Sequence, residues 1–153
     1  MSIRDLVCEV LALVDAELES QRISLQVELH PELPQVMGDR VQLQQVLVNL
    51  IMNAVEAMSS VQDHERSLRV ESRLHEPTDV LITVEDSGPG IEADEMEHLF
   101  EPFFTTKSHG MGLGLAISRS IIEAHGGRLW VSGRIPHGAV FHVQLPSDLS
   151  VGK

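Results

Sequence analysis

Apolar residues recur at three- and four-residue steps in two long stretches of the chain. The first stretch covers residues 3–18, and the second begins after Asp39 and continues to residue 58. Asp39 is a good N-cap residue, because its side-chain oxygen can accept a hydrogen bond from the first turn of a helix. A three-four spacing places apolar side chains on one face of a helix. The pattern therefore predicts two amphipathic helices that bury one face.

The second half of the chain contains weaker helical signals around a glycine-rich segment. Residues 93–100 have the pattern of a short helix, and residues 113–124 that of a longer one, which Gly126 and Gly127 would end. Residues 101–112 show no period and include two of the three glycines of EPFFTTKSHGMGLG, so we expect a mobile loop there.

Strand patterns occupy the remaining segments. Residues 23–29 alternate apolar and polar side chains as a half-buried strand does. We expect residues 67–75 to pair with 80–86, and 128–135 with 139–146. The fold class is therefore α+β: a two-layer α/β sandwich with a mixed sheet of about five strands and three main helices on one face.

Charge and composition restrict the classes of function. The 153 residues suit one domain over 1–153, and a net charge of -12 argues against nucleic acid as a partner. No apolar run has the length of a membrane span, and the first ten residues lack the order of a signal peptide, so we expect no membrane contact by this domain. Cys8 is the only cysteine, so no internal disulfide can form, which favours a cytoplasmic setting.

The second predicted helix carries two asparagines on one face, Asn49 and Asn53. Residues four apart lie one above the other on a helix, so their amide oxygens could jointly hold a hard cation such as Mg²⁺. Asparagine also caps loops, and helical spacing alone leaves the two interpretations about even.

Two glycine-containing segments follow. After the strand ending at Asp86, the turn DSGPGI could place a carboxylate beside flexible backbone that lets a flat ring approach, although an ordinary turn explains it better on its own. The segment GMGLG at 110–114 could expose N–H groups to phosphate, with a hinge as the equal alternative. Lys107 could reach a phosphate, but a solvated charge is the more common role.

The histidines show no metal-site spacing. We interpret all eight as surface or edge residues: His30, His64, His75, His98, His109, His125, His137 and His142.

The order of these segments is more informative than any one of them. The asparagine helix, DSGPGI, LFEPFFTTK and GMGLGL together resemble the ATP-binding catalytic domain of bacterial sensor histidine kinases, within the gyrase, heat-shock chaperone, histidine kinase and MutL ATPases. The resemblance covers about residues 3–147 and implies a Bergerat-type ATP-binding fold, with ATP and Mg²⁺ as cofactors.

The resemblance implies roles for matching residues. Asn53 would coordinate Mg²⁺ with Asn49 assisting, and these two with Lys107 would be the catalytic residues. Asp86 would accept a hydrogen bond from the adenine amine. The full ATP-binding set would be Asn49, Asn53, Asp86, Gly88, Gly90, Ile91, Phe100, Thr105, Thr106, Lys107, Gly110, Met111, Gly112, Leu113, Gly114 and Leu115.

Two positions depart from relatives of the wider group. Asn49 stands where the ATP-hydrolysing members and anti-sigma serine kinases have a glutamate that can act as general base, which implies slow intrinsic hydrolysis. Ala139 follows Gly138 where the family commonly has threonine, which removes one hydroxyl from the adenine side.

The resemblance also implies the reaction and its partners. The domain would donate the γ-phosphoryl group of Mg-ATP to a histidine on a separate dimerisation hairpin, and a response regulator receiver domain would meet that hairpin. Neither the hairpin nor a sensor domain is expected within 1–153, so this chain should not phosphorylate itself. The alternatives are a free-standing anti-sigma-type serine/threonine kinase and a non-catalytic nucleotide-sensing module.

Overall fold

Alternating helices and strands build two layers in the protein. The computed structural model describes residues 1–75, 77–92, 95, 98–101, 114–134 and 137–149. Within these residues the helices are α1 (Ile3–Ser20), α2 (Arg40–Met58) and α3 (Gly114–Ala124). The strands are β1 (Ser24–Leu29), β2 (Ser67–His75), β3 (Asp79–Asp86), β4 (Arg128–Gly133) and β5 (Ala139–Leu145).

The strands form one mixed sheet in the order β1-β2-β3-β5-β4. β1 and β2 are parallel, because α2 connects them, and the other neighbours are antiparallel. Both predicted strand pairs and the α+β fold class are confirmed.

Local sequence explains where the first two helices begin. The hydroxyl of Ser2 accepts a hydrogen bond from Asp5 N–H at 3.3 Å, and Oδ1 of Asp39 accepts one from Gln42 N–H at 3.0 Å. Each cap satisfies a donor that has no partner within its helix. The predicted N-cap at Asp39 is therefore confirmed.

The core lies between α1 and α2 on one side and the sheet on the other. The apolar stripe of α2 is buried as its spacing predicted, at Leu43, Val46, Leu47, Leu50, Ile51, Ala54, Val55 and Met58. These residues belong to the same hydrophobic cluster as Val80, Ile82 and Val84 of β3 and the buried residues of β5. Helix α2 is therefore held rigidly against the sheet.

Strand β1 differs from its prediction. Leu25 and Val27 point to the helix side of the sheet, in register with Leu68 and Val70, yet remain 37% and 40% exposed. The cause is position: β1 is an edge strand that packs only lightly against α1. Alternation identified the strand but overestimated its burial.

Two predicted segments lie mainly outside the residues that the structure describes. The short helix at 93–100 is described only at residues 95 and 98–100, and most of the loop at 101–112 lies outside the described residues. Of the helices in the described residues, none is long and apolar enough to cross a membrane.

Candidate functional site

One face of α2 collects three positions spaced four residues apart: Asn49, Asn53 and Ala57. Both asparagines are half-buried at the edge of the apolar stripe. Nδ2 of Asn49 donates to Oγ of Ser118 at 3.3 Å, and Ser118 is itself fully buried on α3. This bond orients the amide nitrogen of Asn49 toward α3. The amide oxygen is the acceptor atom of the Asn49 side chain.

The turn after β3 packs against the other end of this face. A Cβ placed on Gly88 would lie 3.2 Å from the carbonyl oxygen of Ala57 and 3.0 Å from Oδ1 of Asp86. A side chain here would crowd both oxygens, so glycine favours this close approach of the turn to α2. The face of α2 therefore runs from Ser118 of α3 to the turn that carries Asp86.

Asp86 is a buried carboxylate, only 2% exposed. Its Oδ1 accepts a hydrogen bond from Gly88 N–H at 2.8 Å. Burial raises the pKa of Asp86 above its ordinary value, and hydrogen bonds from the Gly88 and Ala139 backbone, with Arg134 nearby, oppose that rise. The carboxylate is thus kept in a site where ionisation is costly, which is frequent at functional positions.

Two further glycines let the backbone close around Asp86. Gly138 has φ +113°, and a Cβ there would lie 2.1 Å from the carbonyl oxygen of Asp86. Gly90 has φ +91° and packs against Gly138. Both conformations lie in the region that glycine occupies without strain. Ala139, where the hydroxyl of a threonine is missing, is buried and lies opposite Asp86 in the strand register.

The apolar members of the predicted set lie beside the core. Ile91, Phe100 and Leu115 are partly buried against it. The ring of Phe100 meets Phe141 edge-to-face at 6.4 Å, and the guanidinium of Arg119 lies 5.3 Å above it. Phe100 is therefore anchored to the sheet at the start of the segment that leads toward α3.

Part of the predicted site lies outside the described residues. These positions are Thr105, Thr106, Lys107, Gly110, Met111, Gly112 and Leu113. Gly114 is the first residue of α3, and a Cβ there would meet nothing within 4 Å.

Sequence reasoning missed several side chains that hold the site together. Ser118 ties α3 to Asn49, while His64 and Arg134 reach the backbone behind Asp86. Nε2 of His125 accepts from Asp39 N–H at 3.0 Å, so this ring joins the end of α3 to the start of α2. The description of all histidines as surface or edge residues thus understates His64 and His125. No periodic pattern reveals such contacts, because they join segments distant in sequence.

The residues present fit both halves of a magnesium nucleotide. Amide oxygens such as those of Asn49 and Asn53 are hard ligands suited to Mg²⁺, which takes its other ligands from water and phosphate. A buried carboxylate next to a glycine such as Gly88 can accept a hydrogen bond from an amine on a flat base. Fold and site together define an α+β domain of the nucleotide-binding class.

Comparison with known proteins gives the family. Residues 38–149 match the family described as histidine kinase-, DNA gyrase B-, and HSP90-like ATPase. The chain belongs to this ATP-binding family, and the resemblance seen in its motifs is confirmed.

Sensor kinases are among the most similar curated proteins. The chain is 45% identical over 146 residues to the sensor protein FixL of Bradyrhizobium diazoefficiens, covering 95% of this chain and 28% of FixL. It is 40% identical over 147 residues to the sensor histidine kinase TmoS of Ectopseudomonas mendocina, covering 95% of this chain and 15% of TmoS. The chain thus spans less than a third of either relative.

Solved structures agree with the sequence relatives. The nucleotide-free catalytic domain of histidine kinase ThkA superposes with a TM-score of 0.84 at 36% identity, covering 96% of this chain and 93% of that one. Full-length ShkA in complex with AMPPNP gives a TM-score of 0.82 at 28% identity, covering 95% of this chain and 30% of that one. The described fold is that of a histidine kinase catalytic domain.

Proposed function

We propose that this domain binds Mg-ATP along the face of α2 and donates the γ-phosphoryl group to a histidine on a separate helical hairpin. The observation that carries the proposal is the line of Asn49, Asn53 and Ala57 between Ser118 and the Asp86–Gly88 turn. The helix face would supply metal-binding oxygens, and the turn packed against its end would supply the carboxylate that recognises the base.

Each end of this face has its own chemical task. At the turn, the carboxylate of Asp86 accepts a hydrogen bond from the exocyclic amine of adenine. On α2, the oxygen of Asn53 would coordinate Mg²⁺ with Asn49 assisting, and the ion would supply neutralisation of the phosphate charge. Phosphoryl transfer is catalysed mainly by such positioning and charge neutralisation.

Asn49 favours transfer to a protein side chain over hydrolysis. An amide cannot take a proton from water, so this position provides no general base. Its hydrogen bond to Ser118 instead makes it a fixed polar group beside the metal-binding position. We therefore expect slow release of phosphate by the domain alone.

The partners follow from the proposed transfer. The acceptor would be a histidine-bearing dimerisation hairpin of the same kinase, and a response regulator receiver domain would then engage that hairpin. A histidine kinase structure at 34% identity, ThkA with the response regulator TrrA, has a TM-score of 0.81 and covers 96% of this chain and 41% of that one. Residues 1–153 would act as one catalytic domain on the cytoplasmic side, whether or not the full kinase is membrane-anchored.

A two-part experiment tests the proposal. Titration with ATP should show binding that tightens when Mg²⁺ is added. Incubation of the domain with γ-labelled ATP and a histidine-hairpin protein should then give an acid-labile label on the hairpin. Acid-stable label on a serine-bearing substrate would instead indicate the anti-sigma type of kinase. ATP binding without transfer to any hairpin would indicate a nucleotide sensor.

A further inference from the structure

Two basic side chains approach the backbone behind Asp86 from different loops. Nε2 of His64 lies 2.7 Å from the carbonyl oxygen of Ser87, and Nη1 of Arg134 donates to the carbonyl oxygen of Asp86 at 3.2 Å. Consecutive carbonyl groups of the turn are thus each held by a separate side chain. We call His64 and Arg134 the backbone clamp.

His64 is well placed to act as a donor in this clamp. A carbonyl oxygen only accepts, so Nε2 must carry the proton that points at Ser87. The other ring nitrogen, Nδ1, lies 2.8 Å from Oδ1 of the exposed Asp63. The imidazole also contacts the ring of His137, with ring centroids 3.9 Å apart and the ring planes tilted by 35°. His64 therefore touches both loops that flank the turn.

The side chain of Ser87 strengthens the link to the loop that carries His64. Its Oγ accepts from Ser67 N–H at 2.8 Å and donates to the carbonyl oxygen of Glu65 at 3.1 Å. Ser87 is only 3% exposed, so these bonds are shielded from water. The segment between α2 and β2 thus fixes this residue at both backbone and side chain.

Arg134 performs the corresponding task from the loop between β4 and β5. Its backbone N–H donates to the carbonyl oxygen of Gly138 at 3.1 Å, which keeps that loop closed. Its Nε lies 3.7 Å from a carboxylate oxygen of Glu85. The guanidinium is therefore oriented by its own loop and by β3 while it holds Asp86.

We propose that His64 and Arg134 are positioning residues for adenine recognition, because they fix the backbone from which the Asp86 carboxylate projects. The inference rests on the proposed function, in which Asp86 accepts from the adenine amine. Burial disfavours the ionised carboxylate, so a loosened turn would let it move toward water. Loss of the clamp should then weaken recognition of the amine specifically.

Inosine triphosphate provides the matched probe, because it differs from ATP at this position by a carbonyl in place of the amine. The measured quantity is the ratio of the dissociation constants of the two nucleotides in the presence of Mg²⁺. We expect His64→Leu and Arg134→Met each to lower the preference for ATP about threefold, and the double variant about tenfold, as expected for one or two hydrogen bonds. Affinity for inosine triphosphate should stay nearly constant.

Conservative variants separate positioning from general stability. His64→Gln and Arg134→Lys keep an N–H donor and should retain most of the wild-type preference. Asp63→Asn removes only the negative charge of the exposed residue beside His64, and Arg40→Met removes one positive charge that pairs with Glu9 on α1. Both controls should match the wild type.

The outcomes distinguish failure of this inference from failure of the proposed function on which it rests. A wild-type preference for ATP that persists in both single variants and the folded double variant would overturn the clamp. Equal weakening of both nucleotides, with a lowered melting temperature, would also overturn it, since the residues would then be merely structural. A wild-type chain that binds neither nucleotide would overturn the proposed function itself. If the double variant does not fold, the two single variants decide.

Discussion

The two ends of the candidate site are constructed in different ways. At the proposed adenine end, the Asp86–Gly88 turn is held by hydrogen bonds from two flanking loops and by close glycine packing against α2. At the proposed phosphate end, Asn49 and Asn53 project from a helix fixed by its buried stripe, and one bond of 3.3 Å from Asn49 reaches α3. Under the proposed function, base recognition would therefore depend on loops held in place by hydrogen bonds, whereas metal binding would depend on the placement of one helix.

The largest effect should come from Asn53→Ala at the phosphate end. Removing the proposed Mg²⁺ ligand should lower affinity for Mg-ATP about 100-fold, while affinity measured in excess chelator should hardly change. Calorimetric titration with and without Mg²⁺ measures both.

Gln45→Ala is the matched control, because Gln45 is an exposed residue of the same helix. It should leave both affinities unchanged. A melting temperature that collapses in Asn53→Ala along with binding would make Asn53 a structural residue.

The next effect should come from Asp86→Asn at the adenine end. Loss of a charged acceptor should weaken ATP about 10- to 100-fold and leave guanine nucleotides little affected. Because burial raises the pKa of Asp86, the ionised group destabilises the folded state at neutral pH. The nucleotide-free variant should therefore melt at the same temperature as the wild type or higher.

The melting temperature of Asp86→Asn is compared with that of Asp15→Asn, an exposed substitution on α1. If Asp86→Asn lost equal affinity for adenine and guanine nucleotides, the role of Asp86 in recognising the adenine amine would be contradicted.

A pH titration tests the role of Asp86 at the same end of the site. The pKa of Asp86 is raised above the ordinary value of 3.8, so ATP affinity should fall as the pH is lowered through that raised pKa, where the carboxyl is protonated. The stability of the folded state depends on pH in the opposite direction. Because the folded-state pKa of Asp86 lies above the unfolded one, protonation of Asp86 favours the folded state as the pH falls. The wild type should show an inflection in ATP affinity at the raised pKa of Asp86, and Asp86→Asn should lack it. Identical pH profiles of the two proteins would contradict the role of Asp86.

A smaller effect should come from Gly38→Ala, far from both ends. A Cβ there would lie 2.5 Å from Cδ2 of His125, so the ring must leave Asp39 N–H and the joint between α2 and α3 must loosen. We expect a loss of about 1–2 kcal/mol in the free energy of unfolding, measured by urea denaturation.

Gly133→Ala is the matched control for this change, since a Cβ there meets nothing within 4 Å. If the two alanine variants were equally stable, the packing of His125 against Gly38 would not matter.

The smallest effect should come from Ser118→Ala. Losing the bond from Asn49 should weaken Mg-ATP about two- to fivefold, because the amide is no longer oriented. Ser120→Ala, exposed on the same helix, should have no effect on the same titration. A Ser118→Ala variant indistinguishable from the wild type would show that Asn49 needs no support from α3.

The sequence predicted the elements that carry the candidate site wherever those elements follow local periodicity. The stripe of α2, the N-cap at Asp39 and the strand ending at Asp86 are properties of neighbouring residues, so spacing was sufficient. His64 and Arg134 could not be found in this way. His64 is 23 residues from Ser87 and Arg134 is 48 residues from Asp86, and only the completed sheet brings them together. The exposure of β1 likewise depends on which strand lies at the edge.

The most direct test of the account measures whether one nucleotide spans both ends. Mg-ATP affinity is determined for the wild type, Asn53→Ala, Asp86→Asn and the double variant. If the braced turn and the α2 face hold opposite parts of one molecule, the two losses should add in free energy to within about 0.5 kcal/mol. A double variant that binds no more weakly than Asn53→Ala alone would contradict the account, because Asp86 would then contribute nothing to the nucleotide held by α2.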